Sequence, residues 1–264
     1  MAITTPAGSS RRDFIRLTGT LGVAAGLAVS LAACGGKGKT SGGANASGSA
    51  MATDQEVTHK DGVITAGISY ELGTNGYDPM TTSSALTVAA NWHTLEGLTE
   101  LHPATREVYA ALASEMPKKV DDTTYEVALR KDAKFSDGAA VTADDVVFSF
   151  TRVLDPANKS LYSQFLPFID KVEAKDTSTV TIKLKYAFSL VAERLSVVKI
   201  VPKAIVEADA KAFDMSPTGS GPYKMTDNGA ASQKIVFERN DSYNGPRPAL
   251  AKSMTWQVLP DDTT

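Results

Sequence analysis

Cysteine is nearly absent. Cys34 is the single one in 264 residues, so no disulfide can form within the chain. Histidine is scarce too: His59, His93 and His102 are scattered, show no HExxH-type spacing and have no second cysteine near them. That pattern excludes the common zinc arrangements. No basic patch stands out. The formal charge is −3, and once residues 1–34 (with Arg11, Arg12, Arg16 and Asp13) are set aside, 24 basic residues face 29 acidic ones, a balance of −5. Nucleic acid is therefore not an expected partner. A phosphate or dinucleotide loop is missing as well, because TGSGPY at 218–223 lacks the Gly-Lys-Ser/Thr ending. What is present is an ordinary globular composition, 42% hydrophobic and 22% charged, with enough apolar residues for a sizeable core.

The first fifty residues read as an address. SSRRDFIRL (9–17) is a charged opening, LTGTLGVAAGLAVSLAA (17–33) is an apolar run rich in Gly and Ala, and Cys34-Gly35 follows. A charged region, an apolar stretch and small residues before a cleavage point make a secretory signal. The run is marginal as a membrane span, which needs about 20 more strongly apolar residues. The pair Arg11-Arg12 before Asp-Phe-Ile resembles a twin-arginine export signal. LAAC (31–34) resembles a lipobox, in which Cys34 would become the lipid-bearing N-terminus. GGKGKTSGGANASGSA (35–50) then has the composition of a flexible tether. The expectation is a signal peptide over 1–34, a Gly/Ser-rich tether over 35–55, and a folded domain from 56 onward. That domain would be held to the membrane by lipid on Cys34, on the periplasmic or extracellular side.

From about residue 56, strand and helix patterns mix. GVITAGISY (62–70) is short, β-branched and preceded by Asp-Gly, so it reads as a strand. ALTVAANWHTL (85–95) has helical spacing at Leu86, Ala89 or Ala90, and His93. TYEVALR (124–130) and STVTIKLKY (178–186) alternate as half-buried strands do. KIVFER (234–239) and MTWQVL (254–259) are further strands; LVAERL (190–195) and KAIVEADA (203–210) are short helices. The fold class is mixed α/β, without the strict alternation of a dinucleotide fold.

KFSDGAAVTADDVVFSFTRVLDP (134–156) contains the adjacent carboxylates Asp144 and Asp145 and so raises the question of catalysis. The stretch is fully explained without it. Phe135 is expected to end a strand, and Asp137-Gly138 to turn the chain. Thr142 is an N-cap with Asp145 at the third helical position, a capping box with Asp in place of Glu. Both acids lie in the first turn, where the helix dipole favours negative charge. Val146, Phe150 and Val153 follow at helical spacing, and Asp155-Pro156 stops the helix. No nucleophile–base pair, metal cluster or cofactor loop accompanies them, so the chain is not expected to be an enzyme.

Several blocks together resemble the extracellular solute-binding proteins of the peptide/nickel class, family 5, which serve ABC importers. They are ISYELGTNGYDPM (68–80), LEGLTEL (95–101), the long block 112–156, IVPKAIV (200–206), TGSGPYKM (218–225) and ERNDSYNGPRP (238–248). The order and spacing carry the likeness across 61–264, with Ser136 and Ser220 as small departures. The resemblance implies type II periplasmic-binding-protein-like lobes. Lobe one would comprise about 56–82 and 188–264, lobe two about 83–187, with the chain truncated before a third lobe. It also implies that the strand before Glu71 and the strand after Pro222 share one sheet.

The same resemblance implies capture of oligopeptides or dipeptides by a monomer that passes them to a permease and its ATPase, with no cofactor. Nickel chelates and other small solutes are bound by relatives. Ligand-facing residues would be Tyr70, Glu71, Leu72 and Gly73 after the first strand, and Tyr162 from lobe two. Trp92 and His93, before the LEGL block, are weaker candidates, since an aromatic at that helical spacing is more often core and a lone histidine more often a satisfied surface or core residue. Without a third lobe the chain is expected to bind peptide poorly. A lipoprotein sensor on the same fold, or a truncated remnant, are the alternative readings.

Overall fold

The computed structural model describes residues 61–68 and 76–259. Two four-stranded sheets organise them. The first contains β1 (Val63–Ile68), β8 (Tyr223–Asn228), β9 (Lys234–Arg239) and β10 (Ser253–Val258) in the order β1-β10-β9-β8. β1 runs parallel to β10, with Ile68 opposite Val258, and the other pairs are antiparallel. Parallel neighbours need a crossover, and here the crossover is everything between residues 69 and 252. The expected sharing of one sheet by the first strand and the strand after Pro222 is therefore met.

The second sheet has β4 (Lys118–Asp121), β5 (Thr124–Ala128), β6 (Ile169–Asp176) and β7 (Thr179–Leu184) in the order β4-β5-β7-β6, antiparallel throughout. Its central strand alternates as its sequence requires: Val180, Ile182 and Leu184 are buried and the residues between them are not. Against it lies α2 (Ala143–Leu154), which buries Val146, Phe150 and Val153. A short antiparallel pair, β2 (Thr99–Leu101) and β3 (Val108–Ala110), sits apart from both sheets.

α2 starts where the capping box places it. Thr142 N donates to Asp145 Oδ2 at 2.9 Å, and Asp145 N donates to Thr142 Oγ1 at 3.4 Å. Asp145 Oδ1 also accepts from Lys203 N at 2.9 Å, at the start of α4 (Lys203–Ala208). Asp145 is thus a buried fastener between two helices, while Asp144 points into solvent. One expectation is corrected: Phe135 does not end a strand. Its neighbour Lys134 makes only an isolated bridge to Ala140, and Phe135 N bonds Ala139 O across the turn at Asp137-Gly138, where Gly138 takes φ +93°. Phe135 is buried because the turn folds it inward, which its apolar character favours more strongly than sheet pairing.

α1 (Ala85–Thr94) packs Leu86 and Ala90 onto the first sheet, beside Tyr223, Met225, Ile235 and Phe237. Ala89, the alternative at that spacing, is exposed. Val191, Leu195, Val198 and Ile200, in and after α3 (Val191–Leu195), join the cluster of the second sheet. Side chains from both sides of residues 83 and 188 thus meet in these clusters. A further short helix, α5 (Ala210–Met215), completes the elements.

The glycines of TGSGPY have a steric cause. A Cβ on Gly219 would lie 2.0 Å from Thr94 O, and one on Gly221 would lie 2.6 Å from His93 O. Gly221 N instead donates to Thr94 O at 2.9 Å, closing the end of α1 onto the entrance of β8.

Candidate functional site

A groove of about 260 Å³ opens beside the second half of α1. Val88, Asn91 and Trp92 form one wall, Tyr162 stands at the start of a one-turn 3-10 helix (Ser163–Phe165), and Leu101 and Val197 supply apolar floor. Trp92 and Tyr162, two of the expected ligand-facing residues, thus line the same depression although they are far apart in the chain. Tyr162 is fixed by its hydroxyl, which donates to Thr82 O at 3.2 Å, and burial raises the phenol's pKa. Asn91 Nδ2 donates to Tyr77 O at 2.8 Å, while its Oδ1 is buried without a partner.

Of the charged residues that line the groove, Glu100 and Lys199 neutralise each other, while Arg106 is exposed at its edge. Glu100 pairs with Lys199 and also accepts from Gly97 N at 2.8 Å; both ion-pair side chains are largely buried. Behind them, Glu96 of the LEGL block meets Arg130 (Nη2 to Oε2, 3.2 Å) and accepts from Tyr243 Oη at 3.0 Å. Arg130 Nε reaches Asn244 Oδ1 at 3.0 Å, and Asn244 Nδ2 returns to Lys131 O at 3.1 Å. This network ties the loop after β9 to the end of β5. Arg152 and Asp78 form another buried pair at 2.5 Å. A buried pair of this kind is held by several hydrogen bonds at once, and Asp78 Oδ1 also accepts from Met80 N at 3.0 Å.

His93 is not brought into the groove. Its ring meets Trp92, Tyr223, Phe237 and Trp256 at centroid distances of 5.4 to 6.1 Å. Burial, and secondarily the Arg247 charge, lower its pKa to about 4, so it is neutral near pH 7. Its place is a core contact. Tyr70, Glu71, Leu72 and Gly73 lie outside the described residues, as do Cys34, Arg11 and Arg12.

Sequence reasoning missed Arg247. Its guanidinium lies 3.5 Å from the centroid of Trp92, and Nη2 donates to Trp92 O at 2.6 Å. The only available signal was a lone arginine between two prolines, which no periodicity marks. Among the described residues no three His, Cys, Asp or Glu side chains group as metal ligands do, and no helix is long and apolar enough to cross a membrane.

Comparison with known proteins decides the family. The description "Bacterial extracellular solute-binding proteins, family 5 Middle" matches residues 107–264, more than half of the chain. The chain belongs to this family. Protein XP55 of Streptomyces lividans is 34% identical over 160 residues, which cover 59% of this chain and 29% of that protein. Oligopeptide-binding protein AppA of Bacillus subtilis is 32% identical over 162 residues, covering 58% and 30%. The solved structure of AppA in complex with a nonapeptide superimposes with a TM-score of 0.68 at 27% identity, over 77% of this chain and 41% of that one. The family 5 chain described here thus spans about a third of the length of the curated relatives it matches, and its mixed α/β sheets have the type II periplasmic-binding-protein fold.

Proposed function

We propose that this chain is part of the substrate-capturing protein of an ABC importer and that it holds short peptides against the groove beside α1. The observation that carries this reading is the convergence of Trp92 and Tyr162 on one apolar-floored depression in a family 5 fold. AppA, bound to a nonapeptide in its solved structure, supports peptide as the cargo class. An extended peptide would lie along the groove with its backbone supplying most hydrogen bonds and its side chains loosely accommodated, some through water. Tyr70, Glu71, Leu72 and Gly73 are assigned to the same site as the segment that follows β1. The two sheets are assigned to two lobes, with α1 counted with the first and residues 191–200 with the second, following the packing.

The chain is read as a binding protein without bond chemistry. Asp145 is occupied in capping and in holding Lys203, and Asp144 is solvated. It is further read as an exported monomer, directed by Arg11 and Arg12, anchored through lipid on Cys34, and served by a permease and an ATPase. Mass spectrometry of the exported protein checks the anchor: a diacylglyceryl adduct on Cys34 is expected, and an unmodified Cys34 refutes it.

Titration of the purified chain with di- to pentapeptides, followed by NMR of the Trp92 indole, tests the capture. The groove is smaller than the roughly 300–1,000 Å³ of typical ligand sites, so saturable binding weaker than about 1 μM is expected. Trp92→Ala and Tyr162→Ala should each weaken it by about tenfold, as losing an anchor worth about 1.4 kcal/mol does. No saturable response to any peptide overturns the reading.

A further inference from the structure

Trp92 divides two cavities. Behind the groove, on the side where Arg247 stacks, lies a second space of about 580 Å³, bounded by Trp92, Tyr109, Val108, Pro103, Pro246 and Arg247. This is within the size range of small-molecule sites, and its walls are mostly apolar or aromatic, as such sites require. We propose that this cavity is a separate binding site for an organic monocarboxylate borne on an apolar or aromatic body, with the carboxylate held between Arg247 and Tyr109.

Two polar groups at this cavity are left without partners. Arg247 makes no ion pair with a carboxylate among the described residues; Nη2 is used on Trp92 O, and Nη1 is buried with no acceptor. The guanidinium is held by its stack on Trp92 and by the Nη2 bond to Trp92 O, so an incoming oxygen reaches Nη1 only when the guanidinium end turns off that bond. Tyr109 is half-buried and its hydroxyl has no hydrogen-bond partner among the described residues. Burial raises the phenol's pKa, the Arg247 charge lowers it, and the Glu100 and Glu96 charges raise it, so the hydroxyl lies in the field of one cation and two anions. A planar cation presenting free N–H groups beside a free O–H is a carboxylate receptor, since charge-assisted bonds of this kind are short and strong. The apolar walls then select what the carboxylate is attached to. Glu107, exposed at the rim and accepting from Thr105 Oγ1 at 3.1 Å, adds a negative charge at the entrance. That charge selects against dianions such as phosphate esters.

The proposal goes beyond the capture of peptides by the groove, because the cavity uses neither Tyr162 nor the segment after β1. Its test is an NMR titration of the purified chain with benzoate, benzamide and inorganic phosphate, read at Tyr109 and the Trp92 indole. Saturable shifts are expected with benzoate, and binding about tenfold weaker with benzamide, which loses the charge of the charge-assisted pair, and with phosphate, which lacks the apolar body. Arg247→Met should abolish benzoate binding, and Tyr109→Phe should weaken it about threefold. No saturable benzoate shift, equal affinity for benzamide, or unchanged binding in both variants overturns the proposal. Should Arg247→Met fail to fold by circular dichroism, Tyr109→Phe, which keeps the ring and removes only the hydroxyl, decides alone. A failed benzoate titration beside an intact peptide response refutes this site only, and the reverse refutes only the groove.

Discussion

Replacing Glu96 by glutamine tests whether the polar network behind the groove holds the two sheets in register. Glu96 is 1% exposed and receives Arg130 through both guanidinium Nη atoms, at 3.2 and 3.4 Å, together with Tyr243 Oη. The glutamine oxygen can still accept from Tyr243, so that bond survives. What is lost is the negative charge opposite Arg130, whose side chain is only 15% exposed and cannot recover its hydration. Removing one partner of a buried pair costs about 3–5 kcal/mol; with the Tyr243 bond retained, about 3 kcal/mol is expected. For a folded part of this size each kcal/mol lowers Tm by about 2–4 °C, so Glu96→Gln should melt about 6–12 °C lower by circular dichroism. The double variant Glu96→Gln with Arg130→Met removes both charges and should recover part of the loss, because the uncompensated cation disappears. A Tm within about 2 °C of the parent for Glu96→Gln, or a double variant that is simply the sum of the two singles, would refute the argument.

Three other outcomes follow from the packing and the hydrogen bonds. Thr142→Ala removes the N-cap of α2 and should cost about 1 kcal/mol in urea unfolding, whereas Asp145→Ala also strands Lys203 N and should cost about 2–3 kcal/mol. Equal losses would show that Asp145 serves only the cap. Phe237→Ala, at a fully buried site between α1 and the first sheet, should cost about 3–5 kcal/mol; a loss below about 1 kcal/mol would mean that the core there collapses freely. His93 titrates near 4 when folded against 6.5 when unfolded, so the unfolded chain binds more protons between those values. Stability should therefore be intact above pH 6.5 and fall as pH drops towards 4, by up to about 3 kcal/mol from this residue. His93→Gln should flatten that difference in unfolding curves at pH 7 and 4.5, and an unchanged slope would show that His93 is already solvated.

Local chemistry was readable wherever one short stretch determines the outcome. The capping box of α2, the stop at Asp155-Pro156 and the alternation of β7 all follow from neighbours within a few residues, and the structure keeps them. Phe135 departed because strand ending depends on a pairing partner that the local pattern does not name. β4 is exposed along its whole length and β6 buries only Ile169 and Val172, so neither carries the periodicity that marked β7. The groove was half legible. Tyr162 and Trp92 could be named from the family likeness, but the cation–π contact of Arg247 joins residues 155 positions apart, and no spacing rule reports it. His93 shares its helix with Trp92 and differs only in which side the helix turns to the sheet.

The parallel pairing of β1 with β10 has a consequence in time. β1 is complete at Ile68, yet its one neighbour among the described residues, β10, begins at Ser253. At ordinary translation speeds, roughly 10–40 s separate the two. During that interval every strand of the second sheet, between residues 118 and 184, has been made, while the backbone groups of Val63–Ile68 wait for their partners on β10. A holding factor that binds the nascent chain has its natural target there, and its release would be set by the emergence of β10.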